Sequence, residues 1–337
     1  NNSIAGGDGN DTIDGWDGVD TLSGEIGNDI FILDDASDMA DTVDGGTGNN
    51  TVNVIFNTNL LTLTGGTSTP LAWTNIQNIT LLGTATLTAT GDNNANIISG
   101  NVAANKLFGL DGDDTLNGGA GADSLAGGMG NDSYGVDSAT DKVIDLAGQG
   151  TDSVFSSVTY TLPTSGTTSE VENLFLTDFA NINGTGNALN NVMGGNNGVN
   201  ILKGLAGNDT ISGGLGSDTL DGGVGIDTMS GNEGDDVYMI DTSSDVVTEV
   251  ALQGSADKIN ATLIANSVYT MTPEVERLTL LGTAAGQTII GNVSNNILIG
   301  NTQRNVLRGG DGLDTIDGGG GADTMDGGLG NDTYNVD

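Results

Sequence analysis

The sequence contains no cysteine, no histidine and only three prolines in 337 residues. Without cysteine the chain has no disulfide to stabilise its fold. Without histidine it cannot form Ser-His or Cys-His nucleophile arrangements, and zinc sites built on histidine or cysteine are also excluded. Aromatic residues make up 4% of the chain and glycine accounts for 57 residues, so we expect no ordinary globular core. No apolar run is long enough to span a membrane.

Basic residues are scarce as well. Seven lysines and arginines face 45 aspartates and glutamates, which gives a formal net charge of −38. Such an acidic surface argues against nucleic acid as a partner. A pair of carboxylates could in principle hydrolyse a sugar, but the few basic residues do not cluster and the acids follow a repeat instead. We therefore expect no enzymatic activity in this chain.

That repeat is the pattern G-G-x-G-x-D-x-U-x, in which U is a large apolar residue, at a strict nine-residue period. Aspartates on glycine loops that recur in register form oxygen cages for a hard cation, and calcium is the natural occupant. The thirteen copies form four arrays, whose aspartates are Asp11, Asp20 and Asp29; Asp114, Asp123 and Asp132; Asp209, Asp218, Asp227 and Asp236; and Asp314, Asp323 and Asp332.

One copy, residues 213–221, shows how each nonapeptide is built. Its first six residues predict a tight turn, since glycine tolerates a positive φ and leaves the backbone carbonyls unobstructed. Its last three residues predict a short strand with Leu220 pointing inward. A strand of three residues needs stacked neighbours to bury its one apolar side chain. The predicted inward set is Ile13, Leu22, Leu116, Leu125, Ile211, Leu220, Met229, Ile316 and Met325, with Phe31, Tyr134, Tyr238 and Tyr334 closing the arrays.

These nonapeptides resemble the RTX, or haemolysin-type calcium-binding, repeat family of secreted bacterial proteins. The resemblance implies an all-β fold, a parallel β-roll or β-solenoid with two nonapeptides per turn, and type I secretion. It further implies that each calcium lies between loops eighteen residues apart, held by aspartates and by carbonyls at loop positions one to four. Carried over, this gives five complete sites: Asp11 with Asp29, Asp114 with Asp132, Asp209 with Asp227, Asp218 with Asp236, and Asp314 with Asp332. The implied carbonyl ligands are Gly7, Gly9, Gly24, Gly112, Gly127, Gly207, Gly214, Gly216, Gly222, Gly231, Gly310, Gly312 and Gly327.

Two departures from the pattern affect these sites. Five residues replace the second glycine of a loop, which predicts strain there: Trp16, Glu25, Leu110, Leu205 and Asn232. Asparagine takes the aspartate position in rungs that precede the arrays, among them Asn96, Asn105, Asn191, Asn200, Asn296 and Asn305. These rungs form either a ladder of stacked amides or weaker calcium sites.

The arrays recur with a longer period of about one hundred residues, since Asp11, Asp114, Asp209 and Asp314 are separated by 103, 95 and 105 positions. We predict one continuous solenoid of super-repeats at 1–101, 102–196 and 197–301, with a fourth beginning at 302–337. The chain begins and ends inside a rung, so we expect a segment of a longer protein. The spacers alternate apolar and polar residues, which predicts strands. They form either wider coils continuous with the rolls or small β-sheet inserts.

The stacked carboxylates repel one another unless a cation neutralises them, so calcium binding should drive folding. We therefore expect an extracellular protein, because calcium is plentiful there. The preferred function is a calcium-rigidified rod in a bacterial surface layer, filament or adhesin, with calcium and further copies of the chain as partners and no membrane insertion. The first alternative is a non-catalytic C-terminal module that helps to export and fold a type I-secreted toxin or hydrolase. The second is a carbohydrate-binding module, for which Trp16 and Trp73 are the only candidate stacking residues.

Overall fold

The computed structural model describes residues 1–34, 38–55, 62–64, 73–163, 170–249 and 254–336. Within these residues every regular element is a short β-strand, apart from one 3-10 turn at Asp38–Ala40. The strands pair in parallel, so the predicted all-β, parallel solenoid is confirmed. No helix in the described part of the chain has the length and apolarity needed to cross a membrane.

The chain divides into two compact units, of which the first comprises Asn1–Val158 and Pro163–Val171. Its strands are β1 (Ser3–Asp8), β2 (Thr12–Asp14), β3 (Thr21–Ile26), β4 (Ile30–Leu33), β5 (Thr42–Asp44), β6 (Thr51–Val54), β7 (Thr62–Thr64), β8 (Trp73–Thr74), β9 (Asn78–Leu81), β10 (Thr88–Thr90), β11 (Ile97–Ser99), β12 (Lys106–Asp111), β13 (Thr115–Asn117), β14 (Ser124–Met129), β15 (Ser133–Val136), β16 (Lys142–Ile144) and β17 (Ser153–Ser156).

The second unit comprises Thr159–Leu162 and Glu172–Asp337. Its strands are β18 (Tyr160–Thr161), β19 (Asn173–Leu176), β20 (Gly184–Thr185), β21 (Val192–Gly194), β22 (Ile201–Lys203), β23 (Thr210–Leu215), β24 (Thr219–Asp221), β25 (Thr228–Glu233), β26 (Val237–Ile240), β27 (Val246–Thr248), β28 (Lys258–Ala261), β29 (Val268–Thr270), β30 (Arg277–Leu280), β31 (Thr288–Ile290), β32 (Ile297–Ile299), β33 (Val306–Asp311), β34 (Thr315–Asp317), β35 (Thr324–Leu329) and β36 (Thr333–Asn335).

In both units the strands of alternate half-turns stack into separate sheets. In the first unit the pairing orders are β1-β3-β5-β8, then β7-β10-β12-β14-β16, and β2-β4-β6-β9-β11-β13-β15-β17. In the second unit they are β19-β21-β23-β25-β27, then β18-β20-β22-β24-β26-β28-β30-β32-β34-β36, and β29-β31-β33-β35. Each strand therefore pairs with the strand one full turn away, as expected when two nonapeptides make one turn.

The register distinguishes the arrays from the spacers. Within the arrays the paired residues are eighteen apart, as for Thr210 with Thr228. In the spacers the turn lengthens, for example to 21 residues between Ile30 and Thr51. It reaches 27 residues between Thr51 and Asn78. Because the spacer strands join the same sheets as the array strands within each unit, the spacers are longer coils continuous with the rolls.

The core is a column of single apolar side chains, one from each short strand. The predicted inward residues from Ile13 to Ile316 are buried, and so are Phe31, Tyr134 and Tyr238. The prediction is wrong for Met325, which is half-buried, and for Tyr334, which is 46% exposed. Both lie on the last strand of their sheets, β35 and β36, where no described rung covers them.

Glycine is required where one rung lies directly on the next. A Cβ atom built on Gly128 would lie 1.8 Å from the carbonyl oxygen of Leu110 in the preceding turn. Gly7 occupies the same loop position with a similar φ, 99° against 108°, but a Cβ built there would meet nothing within 4 Å.

We expect Gly128→Ala to lower the free energy of unfolding more than Gly7→Ala, measured by urea denaturation in saturating calcium. Both variants place a side chain at positive φ, which costs roughly 1–3 kcal/mol. Only the Gly128 variant must also push two backbones apart. Equal decreases in the free energy of unfolding would contradict the close contact between Gly128 and the carbonyl oxygen of Leu110.

Candidate metal centre

The aspartates at loop position six stack along each roll. In all five pairs predicted from the sequence, the backbone N–H of the earlier aspartate donates a hydrogen bond to Oδ1 of the aspartate one turn later. The N···O distances are 2.9 Å for Asp11 and Asp29, 2.8 Å for Asp114 and Asp132, 2.8 Å for Asp209 and Asp227, 2.6 Å for Asp218 and Asp236, and 3.1 Å for Asp314 and Asp332. The structure thus brings these ten side chains together in pairs.

The second oxygen of these carboxylates has a different environment. It is buried and has no hydrogen-bond partner in eleven of the thirteen nonapeptides, namely at Asp11, Asp20, Asp29, Asp114, Asp123, Asp132, Asp209, Asp218, Asp227, Asp236 and Asp314. Asp323 and Asp332 are half-buried near the end of their sheets. A buried carboxylate oxygen without a partner destabilises the fold. Its recurrence along the arrays therefore indicates sites for a bound cation.

Backbone oxygens converge on the same points. A Cβ built on Gly213 would lie 2.5 Å from Oδ2 of Asp218 and 2.8 Å from the carbonyl oxygen of Gly231 in the next turn. The same arrangement recurs at the other pairs, where the carbonyl oxygens come from Gly24, Gly127, Gly222 and Gly327. Oxygens from two successive rungs therefore flank one small space that excludes any side chain.

The fourth loop position also faces the next rung. The carbonyl oxygens of Gly9, Gly112, Gly207, Gly216 and Gly312 lie so close to the glycine one turn later that a Cβ there would approach within 1.6–2.0 Å. The second-position carbonyl of Gly310 faces Gly328 in the same way, at 1.9 Å. The two remaining predicted glycines, Gly7 and Gly214, have φ values of 99° and 108°. These glycines allow the loops to stack with their carbonyl oxygens between them.

Five loops achieve the same conformation without glycine at position two. The φ angles are 58° at Trp16, 70° at Glu25, 93° at Leu110, 83° at Leu205 and 70° at Asn232. Positive φ is unfavourable for residues with a Cβ. The strain predicted from the sequence is therefore present in the backbone of these five loops.

Sequence reasoning missed five aspartate pairs. The columns continue past the strict nonapeptides, because further aspartates accept the same N–H bond from the turn before. Asp141 and Asp245 follow their partners by eighteen residues, and the other three end longer turns of 20 or 21 residues. The pairs are Asp20 with Asp41, Asp123 with Asp141, Asp132 with Asp152, Asp227 with Asp245, and Asp236 with Asp257, at N···O distances of 2.7–3.1 Å. Asp41 and Asp141 supply the partners that the middle loops at Asp20 and Asp123 lacked in the sequence, and the other three extend columns beyond the last loops of their arrays.

Asparagine at position six behaves differently from aspartate. The amide oxygen of Asn200 accepts the N–H of Asn196 in its own loop, and its amide nitrogen donates to the carbonyl of Ile182 one turn earlier. Asn191 makes equivalent bonds with Asn187 and Glu172. These amides bond mainly to the backbone rather than to one another. The rungs of Asn191 and Asn200 therefore satisfy their amide groups where an aspartate rung does not, whereas the amide nitrogen of Asn105 is buried without a partner.

A second ladder runs along loop position five, and the sequence analysis did not find it. The side-chain oxygen of Asn10 accepts the N–H of Asn28, and that of Asn28 accepts the N–H of Asn49. Asn208 likewise accepts the N–H of Ile226. The recurrence of asparagine before aspartate, as in Asn208-Asp209, was the available signal. This exposed ladder fixes the height of each loop over the next.

Burial also changes the acidity of the stacked aspartates. Burial raises the pKa of Asp114 to about 7, the N–H of Asn96 offsets part of that change, and the charge of Asp132 raises the pKa further. The pKa values of Asp123, Asp209, Asp218 and Asp236 rise to about 6 for the same leading reason. The carboxylates thus resist ionisation when no cation lies beside them.

Carboxylate and carbonyl oxygens from two rungs are the donors that calcium prefers, so the residues present fit that ion. A family model described as the RTX calcium-binding nonapeptide repeat matches residues 1–31, 35–53, 99–134, 194–229, 214–246, 281–312 and 299–334. These segments cover more than half of the chain, which therefore belongs to the RTX calcium-binding repeat family. RTX nonapeptide repeats bind calcium. A search of curated proteins finds no match to this chain.

We expect Asp218→Asn to have opposite effects with and without calcium. In calcium the variant should bind the ion at least about tenfold more weakly at this pair, a loss of about 1.4 kcal/mol, because an amide brings no charge. In calcium-free buffer it should be more stable than the parent, since an amide bonds like that of Asn200 and leaves no buried charge unpaired. Denaturant unfolding in both buffers measures the two effects.

The control for that experiment is Asp311→Asn, which removes one charge from the exposed third position of another calcium loop. It should shift stability little in either buffer. An Asp218 variant that lost stability equally in both buffers would show that its carboxylate acts only through packing.

The raised pKa values predict how stability depends on pH when calcium is absent. A carboxyl whose folded pKa lies above its unfolded value holds a proton more tightly in the folded chain. The free energy of unfolding should therefore rise as the pH falls from about 7.5 to about 5. Circular dichroism of the calcium-free protein should show gain of β-structure over this range. A gain confined to pH below about 4.5 would point to ordinary surface carboxylates instead.

Proposed function

We propose that this chain is an extracellular structural protein of a bacterial surface layer, filament or adhesin, made rigid by calcium. The observation that carries the proposal is the unbroken pairing between arrays and spacers inside each unit. Strands β4, β6, β9, β11 and β13 follow one another in one sheet, so the spacer coils extend the roll instead of interrupting it. A continuous ladder transmits stiffness along the stack, which is what a structural element requires.

The stacked loops are where calcium would act. We assign the ions to the spaces between successive loops, held by the paired aspartates and by the carbonyl oxygens at loop positions one to four. For the pair Asp218 and Asp236, the carbonyl oxygen of Gly231 faces the same space as Oδ2 of Asp218 and would be a further ligand. Calcium would neutralise the two carboxylates and leave the backbone of the rungs in place.

Charge supports the extracellular location. The formal net charge is −38, and eleven of the thirteen nonapeptides carry a buried carboxylate oxygen without a hydrogen-bond partner. Where free calcium is submicromolar such a chain stays loose, and where calcium is millimolar the binding energy becomes folding energy. The same coupling suits passage through a type I secretion channel, since the chain would fold only after export.

Structural use also accounts for the chemistry of the acids. The buried aspartates of the arrays are paired in the position-six columns. Lysine and arginine, which calcium-dependent lyases use as catalysts, number seven and scatter among strands and loops. Trp73, one of two candidate sugar-stacking residues, is buried, whereas Trp16 is exposed. These placements favour a structural role over catalysis or carbohydrate binding.

The alternative is a folding and export module for an attached toxin or hydrolase. The observation in its favour is the same set of unpaired buried oxygens, because they make folding conditional on calcium. This function needs no assembly of the chain with itself.

Light scattering after size exclusion separates the two functions. We expect an expanded monomer in chelator, and in calcium a compact chain that grows into ordered polymers. Compaction without growth would favour the export module over a surface assembly. An unchanged mass and hydrodynamic size would contradict calcium-driven folding itself.

A further inference from the structure

Two clusters of acidic side chains extend beyond the nonapeptide pattern, and we call them the terminal clusters. The first consists of Asp132, Asp145 and Asp152, and the second of Asp236, Glu249 and Asp257. In each cluster one possible ligand atom from every side chain lies within 4.8 Å of the others. Each cluster starts at the last aspartate of an array, and each lies within a single unit.

Their burial sets the terminal clusters apart from acidic surface patches. All three side chains of the first cluster are buried, and in the second only Glu249 is partly exposed. Asp132 and Asp236 are at most 1% exposed, and Oδ2 of each has no hydrogen-bond partner. Each cluster therefore holds three acidic side chains and an unpaired, buried carboxylate oxygen. Such a cluster needs a positive charge, because ions buried without a counter-charge are strongly unfavourable.

A tyrosine hydroxyl adds a further oxygen to each cluster. The Tyr134 hydroxyl accepts the N–H of Gly127, and the Tyr238 hydroxyl accepts that of Gly231, at 3.0 Å and 2.7 Å. A Cβ built on Gly127 would lie 1.8 Å from Oδ2 of Asp132 and 2.5 Å from the Tyr134 hydroxyl, so both oxygens point at one place. The Tyr238 hydroxyl in turn donates to Glu249.

The first array provides an internal comparison. There the aromatic is Phe31, which has no hydroxyl, and the carbonyl of Gly45 faces Oδ2 of Asp29. Its column continues to Asn50 rather than to an aspartate. In the arrays that end at Asp132 and Asp236, the third acid follows the tyrosine by eleven residues, Tyr134 to Asp145 and Tyr238 to Glu249. Among these three arrays the hydroxyl and the extra carboxylate occur together, and both are missing from the first array, where Gly45 takes the place of the acid.

We propose that each terminal cluster is a calcium site of a second kind, built from three carboxylates and a tyrosine. This proposal rests on the calcium chemistry of the proposed function. Two of the three carboxylates in each cluster, however, lie beyond the nonapeptides. Three charges on one ion give stronger attraction than the two at a loop site, so the terminal clusters fill first. Because Asp145 and Asp152 bracket the turn between β16 and β17, a bound ion joins the last array rung to the first spacer rung.

Terbium provides the test, because it occupies calcium sites and emits when a nearby tyrosine transfers its excitation. We expect the first two equivalents added to the chain to give tyrosine-sensitised emission. The double variant Asp145→Asn, Glu249→Gln should lose this early phase. Calcium titration calorimetry should show the same two sites weakened at least about tenfold, the factor that corresponds to one lost charge-assisted contact.

Two control variants test whether the early emission comes from the terminal clusters. Asp178→Asn removes an exposed acid far from either cluster in sequence and should titrate like the parent. Tyr134→Phe, Tyr238→Phe keeps the packing, since Phe31 fills the equivalent place, and should abolish the early emission. Early emission that survived this variant would put the metal elsewhere and overturn the proposal.

The outcomes separate this proposal from the proposed function. If the double acid variant and the parent superimpose in both titrations while calcium still folds the chain, the terminal clusters are not calcium sites and the loop sites stand. If calcium does not fold the parent chain, the proposed function is contradicted, whatever the titrations of the cluster variants show. Circular dichroism of each variant in saturating calcium reports whether it has folded.

Discussion

Repulsion between stacked carboxylates is the constraint on which this structure depends. Two charges about 5 Å apart repel by roughly 3 kcal/mol at an effective dielectric constant of about 20. A folded domain is stable by only about 5–15 kcal/mol in total. The columns repeat this contact at pair after pair, from Asp209 to Asp227 to Asp245 and from Asp218 to Asp236 to Asp257. When the carboxylates are ionised, a cation between the rungs would relieve this repulsion, so bound calcium would act as part of the core.

The other features of the fold serve the close stacking of charged loops. Positive-φ glycines let carbonyl oxygens approach the rung above, and where a larger residue replaces glycine, as at Leu110 with φ of 93°, the backbone carries the strain. The exposed position-five ladder sets the height between loops without adding charge when it uses asparagine. One buried apolar residue per strand then suffices, because each rung covers the next.

The strict period made the fold and the main aspartate pairs predictable, since a two-nonapeptide turn places residues eighteen apart in contact. Asp152 and Asp257 were not predictable in the same way. They lie 20 and 21 residues after their partners, because the turn before each is longer than a nonapeptide pair. Asp145 and Glu249 follow Gly127 and Gly231 by a regular eighteen residues, but an acid there replaces the loop glycine that the pattern predicts. A fixed period cannot locate side chains that follow an insertion, although the repeated spacing from tyrosine to acid was visible. The sequence predicts the asparagine rungs, but it does not predict that their amides bond to the backbone.

Asparagine and aspartate rungs differ in charge and in the hydrogen bonds of their position-six side chains. Asn191 and Asn200 lie one turn before Asp209 and Asp218, and their amides close their own loops with backbone partners. Each donates its N–H to the first aspartate of a column, so an uncharged rung forms the base on which charged rungs stack. The same arrangement precedes the arrays that begin at Asp114 and Asp314. Distributing the carboxylates in short arrays between neutral rungs limits the like charge that any one stretch must hold, while the strand ladder continues through both kinds of rung within each unit.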